Sequence, residues 1–129
     1  MTTRVLMVDD ERDARELFRQ NFRREIRKGL YEFNFAQSGQ EALEILRDGT
    51  PPEILALLSD INMPGMSGME LLAEGCKTWP RVGVFMITAY GDAATEGQAK
   101  AQGASNFFSK PIDFPRLKED LARAIWVAA

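Results

Sequence analysis

Apolar and polar positions along this chain switch repeatedly between two periods. Val5-Leu6-Met7-Val8 is a short apolar, partly β-branched run of the kind that forms a buried strand, and it ends on Asp9-Asp10-Glu11. From Arg12 to Lys28, Ala14, Phe18, Phe22 and Ile26 recur every four residues with Leu17 alongside. That stripe predicts one helix, stopped by Gly29 as a left-handed cap. Tyr31, Phe33 and Phe35 then alternate with Glu32 and Asn34, the signature of a half-exposed strand. Ser38-Gly39-Gln40-Glu41 has the form of a capping box and opens a second helix carrying Ala42, Leu43, Ile45 and Leu46, which ends at Gly49. Pro51-Pro52 reads as a rigid connector into a third strand, Ile54 to Ser59.

Ser67-Gly68-Met69-Glu70 repeats the capping-box form and opens a third helix, Met69 to about Lys77, interrupted by Gly75. Val82 to Ile87 is a fourth buried strand ending on Thr88. Asp92 predicts the N-cap of a fourth helix and Gly103 its stop, although Ala93, Ala94, Ala99 and Ala101 give that helix little apolar bulk. Asn106-Phe107-Phe108 is a short fifth strand, with one phenylalanine inward and one outward, ending on Lys110-Pro111. Asp113 caps a final helix holding Leu117, Leu121, Ile125 and Trp126. Five successive strand–helix units imply a parallel sheet with helices on both faces. The alternating strand belongs at an edge and the continuous apolar strands inside. The expected fold is therefore α/β, a doubly wound five-stranded parallel sheet with five helices. The flavodoxin-like order 2-1-3-4-5 satisfies the edge constraint and is borrowed from such folds rather than derived from the pattern.

Composition narrows the chemistry. A chain of 129 residues suits one domain with one core. The net charge of −3 gives no electrostatic reason to expect nucleic-acid binding. The single cysteine, Cys76, rules out an internal disulfide, and the absence of histidine removes Ser-His and Cys-His catalysis and any His-ligated zinc site. No apolar run approaches the roughly 20 residues that span a bilayer. Met1-Thr2-Thr3-Arg4 leads straight into a strand, with no signal-peptide pattern, so a cytoplasmic protein with no membrane association is expected. Cys76, Trp79 and the scattered methionines read as packing residues.

In an open parallel sheet, ligands collect at the carboxyl ends of the strands. Those ends carry Asp9 and Asp10, Asp60, Thr88 and Lys110. Singly, each has a plainer reading: Asp9-Asp10-Glu11 could cap the first helix, Asp60 could be a turn residue, Thr88 a strand end and Lys110 a solvated cation. Together they predict three carboxylates, a hydroxyl and an ammonium in one shallow pocket. Clustered carboxylates repel unless a cation sits among them, and with only oxygen ligands available the expected cation is Mg²⁺. A carboxylate nucleophile beside a metal and a lysine is equipped to accept a phosphoryl group.

Four pieces carry a resemblance: Val8-Asp9-Asp10-Glu11, Ser59 to Gly68, Ile87-Thr88-Ala89-Tyr90-Gly91-Asp92, and Gly103 to Pro111. In this order and spacing the chain resembles, end to end, a receiver domain of two-component response regulators, similar to the chemotaxis regulator. The resemblance implies that Asp60 is the phospho-acceptor. It also implies Mg²⁺ on Asp9, Asp10, Asp60 and the backbone carbonyl of Asn62, with Thr88 as switch hydroxyl, Lys110 as phosphate-pairing ammonium and a cis Lys110–Pro111 peptide. Phe107 matches the aromatic that swings inward in such domains; lacking the phenol of the usual tyrosine, it has no hydrogen-bonded inward state. Asn62 and Tyr90 lie near the phosphate entrance and would tune the lifetime of the phosphoryl group. The implied donor is a sensor histidine kinase or a histidine phosphotransfer protein. The implied output is a changed surface of the fourth helix, fifth strand and fifth helix, which also allows a dimer through that face.

Residues 1–129 are expected to form one receiver domain, either stand-alone or cut from a longer response regulator; its output domain or partner is not legible. Such a domain is not an enzyme beyond its own phosphorylation and dephosphorylation. Two other functions compete. A haloacid-dehalogenase-type phosphatase also forms an aspartyl phosphate, but it needs a second carboxylate where this chain has Asn62, after the first strand rather than the third. A phosphorylation-independent receiver-like interaction module would not need the intact pocket. The first predicted helix carries Arg12, Arg15, Arg19, Arg23, Arg24, Arg27 and Lys28, read first as a solvated face and second as a docking surface for an acidic partner.

Overall fold

The computed structural model describes residues 2–49, 54–89, 91 and 93–128, with side chains through Ala124. The strands are β1 (Thr3–Val8), β2 (Tyr31–Ala36), β3 (Ile54–Asp60), β4 (Gly83–Thr88) and β5 (Asn106–Ser109). The helices are α1 (Arg12–Asn21), α2 (Arg23–Arg27), α3 (Gly39–Asp48), α4 (Gly68–Thr78), α5 (Ala93–Ala101) and α6 (Phe114–Ala128). All five strands are parallel, in the order β2-β1-β3-β4-β5, so the alternating strand does lie at an edge.

Side-chain alternation builds a core on each face of the sheet. Leu6, Val8, Leu57, Val84, Met86 and Phe107 point to the face covered by α3, α4 and α5. Val5, Met7, Leu58, Phe85, Ile87 and Phe108 point to the face covered by α1 and α6. Phe107 and Phe108 are both buried, which corrects the expectation of one outward phenylalanine: β5 is short, but helices cover both of its sides.

The single helix expected from Arg12 to Lys28 is two. The chain breaks at Phe22, with φ −104° and ψ 12°. Phe22 is fully buried, 6.0 Å from the Phe18 ring and 4.8 Å from that of Phe33, with Tyr31 and Phe114 edge-on. Burying this aromatic outweighs a continuous helical ladder, since aromatic clusters stabilise by large area and by ring geometry together. Beyond the break the stripe leaves the core, so Ile26 is 37% exposed, and Leu17 at 46% is off it too. Gly29 ends α2 at φ 73°, as its left-handed stop requires. The sixth helix is thus the second half of the first predicted one.

Both serine N-caps form, although the Glu41 carboxylate accepts from the Gln37 N–H at 3.2 Å rather than from the Ser38 N–H. The Ser38 Oγ accepts from the Glu41 N–H at 3.1 Å, and the Ser67 Oγ from the Glu70 N–H at 3.2 Å. Asp113 accepts from the Arg116 N–H at 3.2 Å at the start of α6. Gly75 does not interrupt α4; a side chain there would only touch Val84 and Leu57 at 3.7 and 3.8 Å, and the helix passes close over the sheet. β3 extends one residue further than expected, to Asp60, and β4 one further, to Thr88. The expected Pro51-Pro52 connector, the Asp92 cap and the role of Tyr90 lie outside the described residues, as do the side chains of Ile125 and Trp126. No helix among the described residues is long and apolar enough to cross a membrane.

Candidate functional site at the carboxyl edge of the sheet

Sheet register decides which polar residues meet. Val8 pairs with Ser59, so Asp9 and Asp60 are each the next residue out on adjacent strands. Asp60 pairs with Ile87, and Thr88 pairs with Ser109, which places Thr88 and Lys110 at the same edge. The Lys110 N–H donates to the Thr88 carbonyl at 2.8 Å and fixes the start of the loop after β5. The Lys110–Pro111 peptide is cis.

One carboxylate oxygen from each of Asp9, Asp10 and Asp60 lies within 4.8 Å of the other two. Asp9 and Asp60 are buried, at 6% and 5% exposure, while Asp10 is open to solvent. The Lys110 Nζ reaches both buried carboxylates, at 3.4 Å from Asp9 Oδ2 and 3.5 Å from Asp60 Oδ2. Backbone donors complete the cradle. The Glu11 N–H reaches Asp9 Oδ1 at 2.9 Å, and the Asn62 N–H reaches Asp60 Oδ1 at 3.3 Å. The plainer reading of the acidic run as a helix cap fails here: Glu11 is the N-cap of α1 and its side chain caps nothing, while Asp9 is turned into the pocket.

Burial pushes the Asp9 carboxyl above the ordinary carboxylate range, and the Glu11 N–H and the Lys110 ammonium only partly offset it. For Lys110, burial pulls the other way, but the charges of Asp9 and Asp60 outweigh it and hold the ammonium above its ordinary value. The site is thus a strongly anionic pocket with one lysine as its internal counter-charge. Its donors are all oxygens. Hard oxygen donors suit a small divalent cation that keeps part of its water shell, and the exposed side of Asp10 leaves that water accessible. The residues present therefore fit Mg²⁺.

Asn62 is exposed beside Asp60, and Thr88 is buried at the end of β4. Phe107 is buried in the core on the α5 side. Two contacts escaped the sequence reading. A Cβ on Gly68 would collide with the backbone carbonyl of Asp60 and lie 2.7 Å from the Ile61 Cα, so the helix that follows the acidic loop starts directly against the chain carrying Asp60. A Cβ on Gly91 would collide with the Ser109 hydroxyl and lie 3.4 Å from the Phe107 ring. Glycine in a loop signals a turn; nothing in sequence tells a turn glycine from one demanded by a distant backbone.

The family model described as response regulator receiver domain matches residues 5–122. The response regulator protein PilR of Pseudomonas aeruginosa is 38% identical over 124 residues, covering 95% of this chain and 26% of that protein. The sporulation initiation phosphotransferase F of Bacillus subtilis is 31% identical over 119 residues, covering 92% of this chain and 90% of that one. This chain spans about a quarter of the length of the first curated relatives it matches. Among solved structures, a chain of the CheX–CheY–BeF3–Mg²⁺ complex from Borrelia burgdorferi superposes with a TM-score of 0.84 at 27% identity, covering 95% of this chain and 89% of that one. With its motifs, strand order and acidic edge all in agreement, this chain belongs to the response regulator receiver domain family.

Proposed function

We propose that the chain is a phosphorylation-operated switch of a two-component relay, in which Asp60 accepts a phosphoryl group from a phosphohistidine on a sensor histidine kinase or a phosphotransfer protein. The observation that carries this reading is the meeting of Asp9, Asp10 and Asp60 within 4.8 Å, with the Lys110 ammonium against the two buried carboxylates. A carboxylate oxygen of Asp60 attacks phosphorus, the phosphorus–nitrogen bond to the donor imidazole breaks, and the imidazole leaves with the bonding pair and takes up a proton. The Asn62 N–H orients the attacking carboxylate through its other oxygen. Lys110 is held protonated by its carboxylate neighbours and stands ready to pair with a phosphoryl oxygen. Mg²⁺ on Asp9, Asp10, Asp60 and the Asn62 carbonyl would supply the positive charge that lets one anion approach another.

The Thr88 hydroxyl then turns toward the new phosphoryl group, and Phe107 repacks behind it. The face that changes is α5, β5 and α6, the fourth helix, fifth strand and fifth helix of the sequence reading. α5 suits this role because Ala99 is the one buried residue it contributes among the described residues, so it is lightly anchored. Incubation with acetyl phosphate tests the proposal. Labelling is expected to require Mg²⁺ and to vanish in Asp60→Asn; labelling that survives that substitution sinks it, and a chain that binds no Mg²⁺ and takes no label is a phosphorylation-independent module instead.

A further inference from the structure

The cations of this chain are unevenly placed. Residues Arg12 to Lys28 hold seven of its 16 Lys and Arg but only three of its 19 Asp and Glu, a local charge of +4 in a chain of −3. The break at Phe22 divides them. Arg15 and Arg19 on α1 lie over the Phe35 ring, each 5.2 Å from its centroid, and are thereby occupied. The cations on α2 face something else. A surface cavity of about 710 Å³ is lined by Gln20, Asn21, Arg23, Arg24, Arg27 and Lys118, with Glu25 on its wall.

Three features of this cavity point to one ligand class. Every lining residue is polar or charged, and four of the seven, Arg23, Arg24, Arg27 and Lys118, are cations, so the wall favours an anion. Glu25 is neutralised internally: Lys118 of α6 reaches its Oε2 at 2.9 Å and also lies 5.2 Å from the centroid of the Phe22 ring. Arg23, Arg24 and Arg27 pair with no carboxylate among the described residues, and Arg27 is one helical turn from both others. Three planar forks on one wall, none of them in an ion pair among the described residues, match several phosphate oxygens at once. Its volume falls within the range of small-molecule sites.

The cavity is also remote from Asp60. The Leu30 N–H donates to the Glu25 carbonyl and the Thr3 N–H to the Leu30 carbonyl, both at 2.9 Å, which ties α2 to the start of β1. Asp9 follows the other end of that strand, roughly 20 Å away at about 3.3 Å per residue.

We propose that the α2–α6 cavity is a binding site for a compact polyanion carrying two or more linked phosphate groups, separate from the phosphorylation pocket. The test is calorimetric titration of the metal-free full chain with sodium tripolyphosphate and with orthophosphate as probes. Tripolyphosphate is expected to bind one to one and more tightly than orthophosphate. Binding should be unchanged by Lys110→Ala, which alters only the pocket at Asp60. It should weaken at least about a hundredfold in the Arg23→Gln, Arg24→Gln, Arg27→Gln triple variant, since each lost charge-assisted contact counts roughly tenfold or more. A charge-matched control, Arg47→Gln with Lys77→Gln and Lys100→Gln, should keep binding. If the triple variant fails to fold, Arg24→Gln and Arg27→Gln singly should each show part of the loss. No heat at millimolar tripolyphosphate, binding that persists in the α2 variants, or an equal loss in the control overturns the proposal.

Discussion

Replacing Gly68 by alanine should cost this domain far more than its chemistry suggests. Gly68 is the first residue of α4, where alanine would ordinarily be favoured by up to about 1 kcal/mol. Here the added Cβ would overlap the Asp60 carbonyl oxygen and sit 2.7 Å from the Ile61 Cα. Both obstacles are backbone, so no rotamer change relieves them, and α4 must back away from the end of β3. Such overpacking costs about 1–3 kcal/mol. The retreat also stretches the bond from the Gly68 N–H to the Ile61 carbonyl, now 2.9 Å, worth about 1 kcal/mol. The net is a loss of about 2–3 kcal/mol. At roughly 2.1 cal/mol/K per residue, a chain of 129 residues would then melt about 10 °C lower. Gly97 is the control: it is also helical, but a Cβ there meets nothing within 4 Å, so Gly97→Ala should stabilise by roughly 0.5–1 kcal/mol. Thermal melting followed by circular dichroism reads both. A Gly68→Ala domain that melts with the parent, or two substitutions shifting the melting point in the same direction, refutes the close-approach argument.

Other consequences are open to simple measurement. Phe22→Ala should lose about 3–5 kcal/mol in urea denaturation, because a fully buried ring in a five-ring cluster leaves a cavity. Mg²⁺ at ten times its dissociation constant should add about 1.4 kcal/mol of stability at neutral pH, a rise in melting temperature of about 5 °C. That gain should fade on acidification into the raised range of Asp9, because the ion needs the carboxylate that the proton occupies. Without the ion the sign at Asp9 is reversed from the usual carboxylate: its raised pKa favours the folded state at low pH, and this contribution is lost as pH rises through the folded value. A gain from Mg²⁺ that is independent of pH would contradict the assignment of Asp9 to the site. Burial raises the Cys76 thiol, so its alkylation by iodoacetamide at neutral pH should be slower than that of a small free thiol and should recover in denaturant.

The strand ends were the most legible part of the sequence. Parallel strands in a two-faced sheet are continuous apolar runs, so the first polar residue after each run marks the carboxyl edge, and Asp9, Asp60, Thr88 and Lys110 could be placed there without coordinates. The Ser38 and Ser67 N-caps were equally legible, because both partners lie within four residues. What failed was whatever depends on distant packing. The helical spacing of Phe18, Phe22 and Ile26 says nothing about the rings of Phe33 and Phe114 that make breaking at Phe22 favourable. One of Phe107 and Phe108 is expected outward from the alternation alone, because the second layer over β5 is supplied by α6, which starts only at Phe114. The capping-box form around Gly68 hides the real constraint on that residue, which is a carbonyl eight positions earlier. The cavity behind α2 became visible only once the Phe22 break turned Arg23, Arg24 and Arg27 toward Lys118.

The central claim is that Asp60, among three carboxylates gathered at one edge, is the residue that carries the phosphoryl group. Borohydride reduces an acyl phosphate to an alcohol, so an aspartyl phosphate is recorded as homoserine at its position. After reaction with acetyl phosphate and Mg²⁺, reductive trapping and peptide sequencing should find homoserine at position 60, and none at positions 9 or 10 or in a reaction without Mg²⁺. Homoserine at position 9 or 10, or an unmodified position 60 in a chain that has taken up phosphate, would contradict the account.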